Sequence, residues 1–396
     1  MPPLSRLAPK LLLSFASLAL VLGAAEGVLR HRNPRYIRTE WARKPVPYRQ
    51  SHPVYGHGLV PGAAGFNEEK GEYRVGYRIS PIGLRDREFP LQPPAGTARL
   101  LVLGDSFTEG YAVEAEQAFV KVLERRLNAA PPRPGARYET VNMGVASFSP
   151  ILEYLFLKTR LPLLRGDFVL LILDPTDFSD DYHYQRGAAW GPGGEPIRVS
   201  HDGLLPNYFS HTRQFIEALP APPLRDVYVL RYLIYHAVRL NHGRWAEARF
   251  GRIEYDRLGW TRPANPHAAA WERQLERTFG HILRIRNLAR SEGMGFALAT
   301  YPHAHMIHPQ AWCKGRRRLY YECGKTYAAP LVSPLLRMCR EKDVTCWDLA
   351  GDFRRPDIPS LFFEFDGHFT PKGNEVMAGA LERRLGPLLA PMPVRP

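Results

Sequence analysis

Arg99-Leu100-Leu101-Val102-Leu103-Gly104-Asp105-Ser106-Phe107-Thr108-Glu109-Gly110 is an apolar run of β-forming residues that ends abruptly in Gly-Asp-Ser. A run of this kind reads as a strand buried on both faces. Its end delivers a hydroxyl to the edge of a sheet, and open α/β sheets bind their ligands outside the carboxyl ends of their strands. Ser106 is therefore a candidate nucleophile. The tripeptide alone also fits an ordinary strand-to-helix turn, so the rest of the chain has to decide.

Working outward, helix-period and strand-like segments alternate. A helix is predicted near Gln117–Asn128, with Phe119, Val122, Leu123 and Leu127 on one face. A strand near Tyr138–Asn142, a helix near Ile151–Leu161 and the very apolar strand Phe168–Leu173 follow, the last breaking at Asp174-Pro175. The pattern resumes with a helix near Ala268–Glu292, the strand Gly295–Tyr301, a helix near Ala328–Glu341 and the strand Val344–Leu349. A loop over Phe365–Asn374 then leads into a terminal helix. This alternation predicts an α/β fold with a mostly parallel sheet covered on both faces. Residues 178 to about 265 do not continue the pattern and read as a helical insertion, with a helix near Asp226–Phe250, that covers the sheet edge as a lid or substrate-facing element.

Residues 31–96 form a lead-in rich in Pro, Gly, Tyr and Arg, too poor in apolar residues for a core of its own. Within it Tyr55–Gly62 reads as turns and Tyr73–Ile79 as a short edge strand. Before it, Leu11–Ala25 is an apolar run near the N-terminus, either a secretory signal peptide or a membrane anchor, so that residues 1–30 are the membrane or export segment. Arg6 and Lys10 precede the run, and Arg30, Arg32, Arg35 and Arg38 follow it, so charge alone does not orient it. The main domain is then 97–390.

The chain has 396 residues and a formal net charge of +14. Its basic residues are scattered, apart from Lys314-Gly315-Arg316-Arg317-Arg318, and no nucleic-acid motif accompanies them. A solvated basic surface is favoured over a nucleic-acid partner. Cys313, Cys323, Cys339 and Cys346 are even in number and lie in one late segment. They fit an oxidising compartment, with Cys313–Cys323 and Cys339–Cys346 the favoured pairs among three pairings; four buried thiols are the alternative. With the N-terminal run, this points to a domain in the periplasm or extracytoplasmic space.

A serine needs a base, and the base needs a third group to hold it. His368 is the best base, with Asp366 two residues before it able to bond Nδ1 and leave Nε2 for the serine. The bland reading of Asp366-Gly367-His368 is an Asp turn entering a helix. His303, His305 and His308 follow a strand end, but no acidic partners accompany them, so they read as pocket rim rather than a metal site. No cofactor is expected. Trp190, Tyr208 and Trp245 are candidates for stacking on sugar rings, with lid or core packing the plainer role.

Gly104-Asp105-Ser106, then Asn142-Met143-Gly144, then Asp366-Gly367-His368 resemble, in this order, the blocks of the SGNH/GDSL hydrolases. The lead-in, with its anchor, Pro-Gly turn and Gly83-Leu84-Arg85-Asp86, resembles that of bacterial membrane-anchored members. The Asp-x-His tail resembles members that O-acetylate exopolysaccharides, such as the alginate acetylation proteins. The resemblance spans about residues 55–390. It implies a flavodoxin-like three-layer α/β/α fold and a triad of Ser106 as nucleophile, His368 as base and Asp366 as orienter. It also implies an oxyanion hole built from the Ser106 N–H, a second-block N–H and a third-block side chain. Around the second block the candidates are Asn142, Gly144 and Ser147, the last standing where the family has glycine. In the third block Thr176-Asp177 stand where the family has Asn-Asp, with Thr176 as donor and Asp177 orienting the loop. The implied activity is a serine esterase or O-acyltransferase acting on acyl esters of envelope carbohydrate or lipid. The alternative is an inactive fold that binds envelope polysaccharide or a partner protein.

Overall fold

The computed structural model describes residues 4–32, 34, 37, 46–69, 71–200, 218–238, 268–316, 321–327 and 331–392. Contacts divide the chain into two units, Met1–Pro45 with Tyr208–Tyr255, and Val46–Asn207 with Asp256–Pro396. In the first unit Leu4–Arg32 is one helix (α1). Its stretch Pro9–Arg32 is long and apolar enough to cross a membrane, as a span or as a signal sequence. Glu26 accepts the backbone N–H groups of Tyr228 and Val229 at 3.0 and 2.8 Å, at the start of a helix over residues 228–238.

The second unit begins with two hairpins. Arg49–His52 (β1) pairs antiparallel with Gly56–Leu59 (β2), and Ala64–Glu69 (β3) with Tyr73–Arg78 (β4). The expected turns at Tyr55–Gly62 thus contain a strand, because the backbone of Gly56–Leu59 finds ladder partners that its Gly-His-Gly composition does not advertise. Next come Thr97–Leu103 (β5), Arg137–Asn142 (β6) and Phe168–Leu173 (β7). A small antiparallel pair, Ala188–Trp190 (β8) and Pro196–Val199 (β9), precedes Gly295–Thr300 (β10) and Cys346–Asp348 (β11).

The strands β5, β6, β7, β10 and β11 form one parallel sheet in the order β6-β5-β7-β10-β11. Counted along the chain this is 2-1-3-4-5, the flavodoxin-like doubly wound order. The strand β5 is buried at all seven positions: Leu100–Leu103 is its apolar run, and the buried Arg99 guanidinium pairs with Glu139 at 2.6 Å. A single helical turn, Ser106–Glu109 (α2), follows β5, and the longer helices of this unit are Phe119–Ala129 (α3), Pro150–Arg160 (α4), Asp177–Arg186 (α5), Ala268–Ser291 (α6), Val332–Glu341 (α7) and Pro371–Leu389 (α8). Helices α3 and α8 cover the face that carries Leu100, Val102, Leu170, Ile172, Ala297 and Ala299. By strand alternation Leu101, Leu171 and Leu298 bury on the opposite face, where α4, α5 and α6 pack together. The architecture is a three-layer α/β/α sandwich.

Polar residues of the lead-in are built into this frame. Arg85 is almost fully buried, lies over the Tyr77 ring at 3.8 Å, and donates to the carbonyls of Gly76, Glu109 and Val113. Asp86 pairs with Lys121 at 2.7 Å and accepts the Asn142 N–H at 2.8 Å. Buried donors and acceptors of this kind are costly to leave unmet, so they fix the register of the lead-in on the sheet.

Two expectations change. The helical layer runs on through α5, so residues 177–186 belong to the doubly wound pattern rather than to an insertion. The residues Tyr208 and Trp245 lie outside the described residues. Cys313 and Cys323 form a disulfide, whereas Cys339 and Cys346 are neighbouring free thiols, the first buried and the second partly buried. Cys339 sits on α7 and Cys346 begins β11, so the even count reflects one bridge and one packed thiol pair.

Candidate active site

The sharp turn after β5 sets the geometry. A side chain at Gly104 would collide with Thr108, so only glycine lets the chain fold back into α2. Asp105 caps that helix, accepting the Phe107 N–H at 2.9 Å. Ser106 is thereby the first helical residue, at the carboxyl end of a central strand.

Its hydroxyl oxygen lies 2.7 Å from His368 Nε2. His368 Nδ1 is hydrogen-bonded to Asp366 Oδ1, which also accepts the His368 backbone N–H at 3.2 Å. Serine, histidine and carboxylate therefore form one chain of hydrogen bonds, although the serine and histidine are 262 positions apart. The His368 ring packs against Phe107 at 4.5 Å and stacks on Tyr111 at 5.0 Å, which limits its rotation. Burial disfavours the imidazolium, but the Asp366 carboxylate, aided by Asp105 and Asp174, outweighs it and raises the His368 pKa above its usual value. Asp366 itself is lowered: burial opposes its ionisation, and His368 with its hydrogen bonds prevails.

The second-block loop is held from three sides. Ala146 donates its N–H to Glu109 at 2.6 Å, and the Ala146 carbonyl meets His57 Nε2 at 2.9 Å. The Tyr184 hydroxyl donates to the Ser147 carbonyl at 3.0 Å. Glu109 is fully buried and grips Arg49 through both oxygens, at 2.6 and 3.2 Å. Ser147 has a φ of 66°, in the left-handed region that favours glycine. Asn142 points its side-chain oxygen at the Gly144 N–H at 3.0 Å and so shapes the loop rather than offering a donor. A side chain at Gly144 would strike the backbone of Thr108 and Glu109.

The third-block turn is organised around Asp174. It accepts the Thr176 N–H at 2.6 Å, the Thr176 hydroxyl at 2.5 Å, the Tyr301 hydroxyl at 2.5 Å and His303 Nε2 at 2.9 Å. Despite its burial, Asp174 is held well below the usual carboxylate range, by His303 first and then by these donors. The single proton of the Thr176 hydroxyl is therefore committed to Asp174, which differs from the expected role as an oxyanion donor. Asp177 accepts the Asp174 N–H at 2.8 Å and thus ties the turn together. Burial, with Glu153 and Asp174 nearby, pushes the Asp177 carboxyl well above its usual range. His303 belongs to this hydrogen-bonded turn and stacks on Phe107 at 5.5 Å. No group of three or more metal-ligating side chains occurs among the described residues.

Reading the sequence missed Glu109 and Arg49. Neither carries a local signal, because Glu109 meets Arg49 and Ala146 across 60 and 37 positions of the chain.

A doubly wound α/β domain with a serine, histidine and aspartate in hydrogen-bonded series at the carboxyl edge of its sheet is the class defined here. Its topology and ordered motifs resemble those of the SGNH/GDSL hydrolases. Among solved structures the chain is similar to a lipase/acylhydrolase from Enterococcus faecalis, at 13% identity and a TM-score of 0.37, over 75% of this chain and 100% of that one. It is similar to the psychrotrophic esterase EstA from Pseudoalteromonas sp., at 10% identity and a TM-score of 0.35, over 74% and 98%. A GDSL-like lipase from Bacteroides thetaiotaomicron gives 10%, 0.32, and 73% and 88%. At such low identity and TM-score these likenesses assign no residue a role. No family model and no curated protein matches the chain.

Proposed function

We propose that the protein is a serine esterase or O-acyltransferase acting on ester-linked acyl groups of envelope carbohydrate or lipid. The observation that carries this reading is the 2.7 Å approach of Ser106 Oγ to His368 Nε2, with Nδ1 held by the half-buried Asp366 carboxylate. Neutral His368 takes the hydroxyl proton as Oγ attacks the acyl carbonyl. The tetrahedral oxyanion is held by the backbone N–H groups of Ser106, at the start of a helix, and of Ser147. Collapse transfers the proton from His368 to the departing alcohol and leaves an acyl-serine. Water then gives hydrolysis, and a sugar hydroxyl gives acyl transfer, with His368 accepting the incoming proton and returning it to Ser106. The apolar α1 and the Cys313–Cys323 disulfide support placement at a membrane, in the periplasm or extracytoplasmic space.

The test is turnover of acyl esters, with and without an oligosaccharide acceptor, by the detergent-solubilised full-length protein. Ser106→Ala abolishes turnover on this reading; unchanged turnover overturns it. A second reading, an inactive polysaccharide-binding fold, is favoured by the left-handed Ser147 and by the engaged Thr176 hydroxyl. Glycan binding without any ester turnover would select it.

A further inference from the structure

The β3–β4 hairpin reaches from the lead-in to the loop that carries His368, and its tip contacts that loop through two residues, Glu72 and Tyr73. The Tyr73 hydroxyl donates to Asp366 Oδ2 at 3.0 Å, the carboxylate oxygen that His368 Nδ1 does not use. The neighbouring Glu72 carboxylate accepts the backbone N–H groups of Phe365 and Asp366, the latter at 2.8 Å. The Tyr73 ring packs against Phe363 at 5.0 Å. The hairpin is in turn fixed to the serine turn. Asn67 donates to the Tyr111 carbonyl at 2.6 Å, Tyr77 to the same carbonyl at 3.2 Å, and the Gly76 N–H to Glu114 at 3.0 Å.

We infer that this hairpin is a working part of the catalytic apparatus: Tyr73 is a positioning residue that holds and tunes Asp366, and Glu72 fixes the backbone on which Asp366 stands. The relay is then Tyr73–Asp366–His368–Ser106. A carboxylate on a short loop can rotate, and the two oxygens of Asp366 are pinned by different partners, so rotation breaks one bond or the other. Tyr73 stays protonated across the working range, because burial and then the charge of Asp366 raise its pKa. It therefore acts only as a donor. A donor on Oδ2 draws charge from the carboxylate and moderates its pull on the His368 proton. The inference uses the triad of the proposed function but has a readout that does not need turnover.

That readout is the titration of His368 in the selectively 15N-histidine-labelled full-length protein in detergent. The charged and titratable groups facing the relay are Asp366, Asp105 and Asp174 around His368, His368, Tyr73, Tyr111 and Glu72 around Asp366, and Asp366, Tyr111 and Glu69 around Tyr73. With Tyr73→Phe the ring packing remains and only the donor is lost. The His368 pKa is expected to rise by about 0.5 unit. If ester turnover is present, its acid limb moves up by the same amount, so that kcat/KM well below the limb falls about threefold. A His368 titration that moves by less than about 0.2 unit overturns the inference. For Glu72, the conservative Glu72→Gln keeps an acceptor for one N–H and Glu72→Ala keeps none. The expected order is a His368 titration close to wild type for the first and a displaced one for the second, with equal displacement or none in both overturning the role. If wild type neither turns over esters nor reacts with a serine-directed probe, the proposed function fails while the titration still decides the relay.

Discussion

The Glu109 carboxylate accepts the Ala146 N–H at 2.6 Å while it grips Arg49. The residue that follows Ala146 is the left-handed Ser147, so a buried ion pair sets the orientation of the loop proposed to hold the oxyanion. Burial opposes the ionisation of Glu109, but Arg49 first and the Ala146 N–H after it lower its pKa below the usual glutamate value. In Glu109→Gln the guanidinium loses its counter-charge, and the loop anchor weakens because a single amide oxygen is left to serve both Arg49 and the Ala146 N–H. Stability is expected to fall by about 2–3 kcal/mol, below the loss for fully buried pairs because Arg49 keeps some solvent. Thermal denaturation reads the first effect, and a kcat reduced at least about tenfold reads the second.

Ser147 carries a left-handed backbone, which disfavours residues with a β-carbon by about 1–2 kcal/mol. Ser147→Gly removes that strain and leaves the backbone N–H in place. The denaturation midpoint is expected to rise and ester turnover to stay within about threefold of wild type. Ser147→Val, branched at Cβ, is expected to lower both.

The raised pKa of His368 gives the pH dependence its sign. Only neutral imidazole accepts the Ser106 proton, so activity is lost as pH falls through a value above 6.5, the ordinary histidine value. The same raised pKa makes protonated His368 stabilise the fold fully below that ordinary value, with the contribution lost as pH rises through the folded value, while the lowered Asp366 contributes above its ordinary carboxylate value and loses that contribution as pH falls through its own folded value. Asp366→Asn removes both effects: the acid limb moves down and kcat falls by about three to four orders of magnitude. A pH–rate profile of both proteins checks this.

Thr176 discriminates between two oxyanion arrangements. Loss of a true oxyanion donor reduces kcat by about two to three orders of magnitude. Because the Thr176 hydroxyl is engaged by Asp174, Thr176→Val is expected to cost less than about tenfold in kcat. The steady-state kinetics of this one variant are sufficient.

The layer pattern was legible because Leu100–Leu103 in β5, Phe168–Leu173 in β7 and Phe296–Ala299 in β10 are apolar runs and the helices between them keep a 3.6-residue period. Ser106, His368 and Asp366 were legible because the turn chemistry of each block is local: a glycine, a cap and an Asp two residues before a histidine. The grip of Glu109 on Ala146 and the reach of Tyr73 to Asp366 were not. They join positions 37 and 293 residues apart, through side chains whose local sequence carries no turn or cap signal. The single disulfide was half legible. Cysteine number and clustering cannot tell a bridged pair from a thiol pair, which depends on the meeting of α7 with β11.

The central claim is that Ser106 is a nucleophile activated by His368. The most direct measurement is covalent labelling of the detergent-solubilised full-length protein by a fluorophosphonate, with the modified residue located by peptide mass spectrometry. Labelling confined to Ser106, and lost in His368→Ala, is the result this account predicts. A folded protein whose Ser106 remains unmodified while envelope glycan still binds would contradict it.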